Sequence, residues 1–171
     1  MIHTDKVIGN INSDSHLKEK YQAMLRSNHI ERIEVTRIEA ERSRLRKVSD
    51  RGTDLDITLI TGSYINDGDV VLLTEEKMVI ATRVPESVAI VSLDKNIVAD
   101  QLFDIAVKLG HTIGNMHRPI NITNDKIYFP IQSESEIELF QKLFSKLKGH
   151  PDIKYETIIF DPDPGYDIHG H

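Results

Sequence analysis

The sequence predicts an α+β protein: an N-terminal antiparallel β domain over residues 1–84, a ferredoxin-like βαββαβ domain over residues 85–160, and a flexible C-terminal tail over residues 161–171. Three observations carry this prediction. Through the first half, apolar residues alternate with polar ones at the period of a half-buried strand. After Pro85-Glu86 the order becomes strand, helix, strand, strand, helix, strand, which is the split βαβ arrangement. The last residues are dominated by proline, glycine and aspartate, which build neither a helix nor a core strand.

At 171 residues the chain is long enough for one large domain or two small ones, and folding can bury about 70% of the surface its unfolded form exposes. A 39% hydrophobic and 28% charged composition is ordinary for a globular protein. The net charge of -6 argues against a nucleic-acid partner, because phosphate backbones are met by strongly basic surfaces. With no cysteine, disulfides, zinc-thiolate sites, iron–sulfur clusters and thiol catalysis are excluded. A metal here has only imidazole, carboxylate and main-chain ligands to use. The N-terminus has no charged start followed by an apolar core, and no run reaches the ~18 apolar residues of a membrane span, so a cytoplasmic protein with no membrane partner is expected.

In the first domain, Val7 to Ile11 reads as a short strand, and Asn12-Ser13-Asp14-Ser15 as a turn that also caps a helix over His16 to Arg26. From Ile30 the pattern has period two. Ser49-Asp50-Arg51-Gly52 is a turn, with Leu55, Ile57 and Leu59 on the returning arm of a hairpin. Asn66-Asp67-Gly68 turns into a strand over Val70 to Leu73, and Glu75-Glu76-Lys77 into Met78 to Val84. Arg32, Arg37, Arg42, Arg44, Arg46, Lys47 and Arg51 crowd one region, but Glu31, Glu34, Glu39, Glu41 and Asp50 are interleaved with them. A solvated sheet face accounts for that pattern better than a docking face for an acidic partner.

In the second domain, Val88 to Leu93 has strand length, and Asp94 or Asn96 is placed to cap the next helix. Ile97, Val98, Leu102, Ile105, Ala106, Leu109 and Ile113 recur at helical spacing. Ile120 to Ile122 and Lys126 to Ile131 flank Asn124-Asp125 as a hairpin. Ser133-Glu134-Ser135-Glu136 reads as a capping box for a helix carrying Ile137, Phe140, Leu143, Phe144 and Leu147, with Gly149 as its stop, and Ile153 to Phe160 is the last strand.

The first of these helices runs into Leu109-Gly110-His111-Thr112-Ile113-Gly114-Asn115-Met116-His117-Arg118-Pro119. Gly114 or Asn115 ends it, because both tolerate left-handed backbone and Pro119 cannot continue a helix. His117 then sits on a short corner, either as a polar cap for the last carbonyls or as a metal ligand. In the tail, His169 and His171 are separated by one glycine and can turn two imidazoles onto one ion. His3, His16, His29, His111 and His150 lack such spacing and read as surface or capping residues.

Taken together, Arg42-Ser43-Arg44-Leu45-Arg46, Asp67-Gly68-Asp69, Gly114-Asn115-Met116-His117 and the Phe160-to-Tyr166 entry into a histidine-ended tail resemble the UreE family of urease accessory metallochaperones. The resemblance runs over nearly the whole chain. It implies a homodimer in which His117 meets its symmetry mate and binds Ni(II), with His169 and His171 completing or feeding the site and Zn(II) or Cu(II) able to substitute. It also implies a partner- or peptide-binding role for the N-terminal domain, and delivery of nickel to urease apoprotein with the accessory GTPase. Met116 departs from the family motif, which usually has arginine there. Two other classes compete: a metal-independent interaction module, and a hydrolase. For the hydrolase the sequence has no nucleophile-plus-base spacing and no His-Glu-x-x-His motif.

Overall fold

A computed structural model describes residues 1–93, 97–147 and 151–163. The chain forms two compact units, the first spanning Met1–Val84 and the second beginning at Pro85. It is a mixed α+β protein with three sheets and four helices among the described residues.

Unit 1 contains β1 (Ile2–Thr4), β2 (Gly9–Asn10), α1 (Ser15–Arg26), β3 (Ile30–Val35), α2 (Arg37–Ala40), β4 (Arg44–Val48), β5 (Asp54–Thr58), β6 (Asp69–Leu73) and β7 (Met78–Arg83). The Asp14 carboxylate accepts from the main-chain N–H of His16 and Leu17 at 2.9 and 3.0 Å, which starts α1 where the turn cluster predicts. One sheet has the order β1-β5-β4 and the other β2-β6-β7-β3. Alternation along β7 divides the core between two layers. Met78 and Ile80 join Leu17 and Met24 of α1, whereas Val79 and Ala81 join Leu45, Leu55 and Ile57 of the other sheet.

Two features of unit 1 differ from the sequence reading. The sheets are not purely antiparallel, since β1 runs parallel to β5 and β3 parallel to β7. Period two reports which face of a strand is buried and carries no information about the direction of its neighbour. The second difference is α2, inside a stretch read as strand. Thr36 and Glu39 form a complete capping box there, so a local T-x-x-E signal overrides the alternation around it.

Unit 2 contains β8 (Glu86–Ser92), α3 (Ala99–Asn115), β9 (Asn121–Thr123), β10 (Lys126–Pro130), α4 (Glu134–Phe144) and β11 (Asp152–Ile158). Its four strands form one sheet of order β11-β8-β10-β9, with every neighbouring pair antiparallel. Asn124 and Asp125 both have positive φ, 53° and 59°, the two-residue turn whose twist suits a hairpin. Both helices cover one face of the sheet. Ile105, Leu109 and Ile113 of α3 and Phe140 and Phe144 of α4 pack with Ala89, Val91 and Phe129. Phe140 is in ring contact with both Phe129 and Phe144, at centroid distances of 4.8 and 5.5 Å. Fully burying each such side chain contributes about 1.5 to 3 kcal/mol.

The helix ends are partly corrected. Asp94 and Asn96 lie outside the described residues, and the residue at the N-cap of α3 is Val98, which makes no side-chain cap bond. Ser133 does precede α4 but makes no cap bond either. The Glu136 carboxylate is engaged elsewhere, accepting from the Gln132 N–H at 2.9 Å and from the Arg118 guanidinium. Gly149 also lies outside the described residues, and α4 ends at Ser145 as its C-cap.

Among the described residues of unit 2, no helix packs on the opposite face of the sheet. Val88 and Ile90 of β8 and Tyr128 of β10 point to it, and they are covered by Phe160, which is 2% exposed. β11 stops at Ile158, short of the Phe160 end predicted for it, because the chain leaves the edge there and crosses this face.

Candidate functional site

α3 ends in a Schellman motif whose left-handed residue is a histidine. The His117 N–H donates to the Gly114 carbonyl at 2.9 Å and the Arg118 N–H to the Ile113 carbonyl at 3.4 Å, closing the helix as glycine usually does at that position. His117 has φ 51°. A side chain in that region costs on the order of 1 kcal/mol, and such an outlier points towards a functional constraint. The imidazole is exposed, so the strain serves no packing purpose.

The turn is tied down on both sides. Arg118 pairs with Glu136 at the start of α4, and their side chains are only 9% and 15% exposed. Beyond it, the Ile120 carbonyl accepts from the Asp163 N–H at 2.9 Å. Met116 packs against the core under α3. His111, one helical turn before the end, lies 3.0 Å through Nε2 from the Asn115 side-chain amide and is a surface residue, as expected.

Of the three sequence-derived metal ligands, His117 is placed as described, while His169 and His171 lie outside the described residues. Among the described residues no three histidine, aspartate or glutamate side chains converge to hold an ion. The sequence reading missed a feature of the same helix. Phe103, Val107, Gly110 and Gly114 recur at helical spacing on the side of α3 opposite Ile105, Leu109 and Ile113. Phe103 and Val107 are 74% and 55% exposed, and nothing lies within 4 Å of where a Cβ would stand on either glycine. The stripe is visible in the sequence once the helix has two apolar faces instead of one.

In unit 1 the basic cluster is largely neutralised in place. Arg46 holds Asp54 through two bonds of 3.0 Å, and Arg44 holds Asp56 through bonds of 3.3 and 3.2 Å. Hydrogen bonds from Arg46 keep the Asp54 carboxyl below the usual carboxylate range, and those from Arg44 do the same for Asp56, with His3 adding to the effect. Lys47 pairs with Glu39 at 2.7 Å and Arg37 with Glu41 at 3.4 Å. These ladders are those of a solvated sheet face. In Asp67-Gly68-Asp69, Gly68 has φ 83°, and a Cβ there would come within 2.5 Å of the Asn12 amide. The motif is a tight turn that only glycine fits.

The N-terminal domain of the UreE urease accessory protein family matches residues 5–83. The chain is 31% identical over 137 residues to the urease accessory protein UreE of Natronomonas pharaonis, covering 80% of this chain and 63% of that protein. It is 31% identical over 135 residues to that of Yersinia intermedia, covering 77% and 58%, and 32% identical over 136 residues to that of Yersinia enterocolitica, covering 77% and 57%. The matched region thus spans about three fifths of the length of these relatives. Among the described residues, no helix is long and apolar enough to cross a membrane. Residues 5–83 thus carry the N-terminal domain of the UreE urease accessory protein family, a family of accessory chaperones and not of enzymes, and the relatives that match most of the chain are named urease accessory proteins.

Proposed function

We propose that the protein is a cytoplasmic nickel chaperone that carries Ni(II) to urease apoprotein, acting as a homodimer with the accessory GTPase of urease maturation. Its second unit is a ferredoxin-like metal-binding and dimerisation domain, and its first a partner-binding domain. The observation that carries the reading is His117 itself, an exposed imidazole held in left-handed backbone at the end of α3. Imidazole suits Ni(II), and equally Cu(II) and Zn(II), so selection rests on availability and on partner contacts.

One His117 is an incomplete ligand set. A second copy of the chain supplies an identical one if the protomers meet across a twofold axis along α3. The exposed stripe of Phe103, Val107, Gly110 and Gly114 runs along the helix toward His117 and supports that geometry, since the two glycines leave room for close approach. His169 and His171 add further nitrogen ligands, and an unsaturated coordination sphere keeps the cargo transferable.

Calorimetric nickel titration of the intact protein and of His117→Ala tests the reading. The variant removes two ligands per dimer, so the shared site disappears while thermal stability changes by no more than about 1 kcal/mol. Unchanged nickel affinity together with a lowered melting temperature would identify His117 as a helix cap and end the proposal.

A further inference from the structure

The turn that carries His117 is closed unevenly. The His117 N–H donates to the Gly114 carbonyl at 2.9 Å, but the Arg118 N–H stands 3.4 Å from the Ile113 carbonyl, beyond the roughly 2.7–3.2 Å of an ordinary bond of this kind. Pro119 has no N–H to offer in its place. One firm main-chain bond thus holds His117 in left-handed backbone, a region about fivefold or more less populated than the right-handed one for a residue with a side chain. Arg118 occupies the position from which such a helix end commonly packs an apolar side chain back onto the helix. Its side chain is 9% exposed and paired with Glu136, whose second oxygen accepts from the Gln132 N–H at 2.9 Å. Arg118 Nε is closed to solvent and meets no acceptor among the described residues. A buried pair with a donor left over is a poor source of stability, since apolar residues of similar volume often serve as well or better. What the pair does supply is direction: it fixes the residue next to His117 to the first turn of α4.

We propose that Arg118 and Glu136 are positioning residues for His117: their pair, more than the last bonds of α3, keeps His117 left-handed and so aims its imidazole at the metal. The aim at the metal rests on the proposed function; the hold on the turn does not. Without the pair, His117 relaxes toward right-handed backbone, and the direction of its Cα–Cβ bond changes with it. Metal then binds only the fraction of molecules that still present the imidazole correctly. That weakens affinity by about fivefold per histidine, and by about 25-fold for a site that shares two.

The full chain carrying Arg118→Met/Glu136→Leu tests this, because it removes both charges together and leaves neither buried alone. Gln132 is exposed, so water takes over its N–H. In the metal-free protein, the amide–Hα coupling and the Cα chemical shift of His117 report whether its backbone is left-handed. Nickel affinity is read in parallel by calorimetry. The double variant is expected to lose the left-handed signature, keep the remaining amide spectrum, and bind nickel about 25-fold more weakly. Arg118→Lys should keep both signature and affinity, since the pair is made through one guanidinium nitrogen that an ammonium can replace. Whether His117 binds nickel at all is read separately, from His117→Ala. Loss of the signature with unchanged nickel affinity would uphold the hold on the turn and overturn its role toward the metal. A signature that the double variant leaves intact would overturn the proposal whatever the nickel result. Loss of the signature in Arg118→Lys as well would assign the hold to guanidinium packing, and would overturn it too.

Discussion

Arg118 and Glu136 form a guanidinium–carboxylate pair almost closed to solvent, joining the residue next to His117 to the first turn of α4. The pair makes the orientation of the turn depend on a helix eighteen residues further along the chain. It also explains why the expected capping box of α4 is not made: Glu136 gives one oxygen to Arg118 and the other to the Gln132 N–H.

Breaking one side of that pair should be costly. Arg118→Met leaves a carboxylate with little solvent and without its cation, for which a loss of about 3 kcal/mol is expected. Arg118→Met/Glu136→Leu should recover most of it, because replacing both partners with apolar groups removes the desolvation penalty as well. Urea denaturation of the three proteins gives the comparison. A double variant as unstable as the single one would show that the turn depends on the charge pair specifically.

Position 117 offers a sharper separation of function from stability. His117→Gly relieves the left-handed strain, so the melting temperature should rise, by an amount equivalent to about 1 kcal/mol, while nickel binding is lost. Scanning calorimetry and nickel titration on one preparation measure both. A lowered melting temperature would mean that the imidazole makes contacts the fold relies on.

In the proposed dimer the stripe on α3 is the interface. Phe103→Glu places a charge on a position that is 74% exposed in one protomer, so the helix should form as before while the dimer dissociates. Light scattering coupled to size exclusion, with circular dichroism as the control, distinguishes the outcomes. A variant that stays dimeric moves the interface off this face.

The acid limb of stability should involve Glu31, whose side chain is nearly buried. Burial alone would push its carboxyl up. Hydrogen bonds from Ser49, at 2.5 Å, and from Thr53 and Lys77, together with the Lys77 charge, outweigh that and hold it below its ordinary value. A depressed folded value means that the contribution is complete above the unfolded value of about 4.3 and disappears as pH falls through it toward the folded one. Glu31→Gln should thus be less stable at neutral pH and show a shallower loss on acidification in urea midpoints measured across that range.

Local signals made much of this legible in the sequence. Asp14 before α1, the turn into β5, the Asn124-Asp125 hairpin and the end of α3 before His117 each depend on residues within a few positions of one another. What escaped depends on partners far away in the chain. The parallel neighbours of β5 and β7, the capture of Glu136 by Arg118, and the docking of Asp163 on Asn121 leave no periodic trace. The course of residues 160–163 was hidden for a further reason: Phe160 is the one large apolar residue among them, and the prolines and aspartates around it read as solvated tail.

The two parallel ladders of unit 1 also bear on how the protein reaches its fold. Ile2 aligns with Leu55 and Ile30 with Met78, so each ladder joins residues about fifty positions apart. Closing a loop of that size costs about 3.5 kcal/mol of chain entropy before any of its bonds are made. Until then β7, whose Met78, Val79, Ile80 and Ala81 are all buried in the finished unit, is an apolar strand paired only with its hairpin neighbour β6 and open along the edge that β3 later covers. Such non-local pairing forms slowly and leaves sticky intermediates exposed for longer than a local hairpin does. A protein whose proposed task is to assist the maturation of another thus enters its own native state through the step most prone to aggregation.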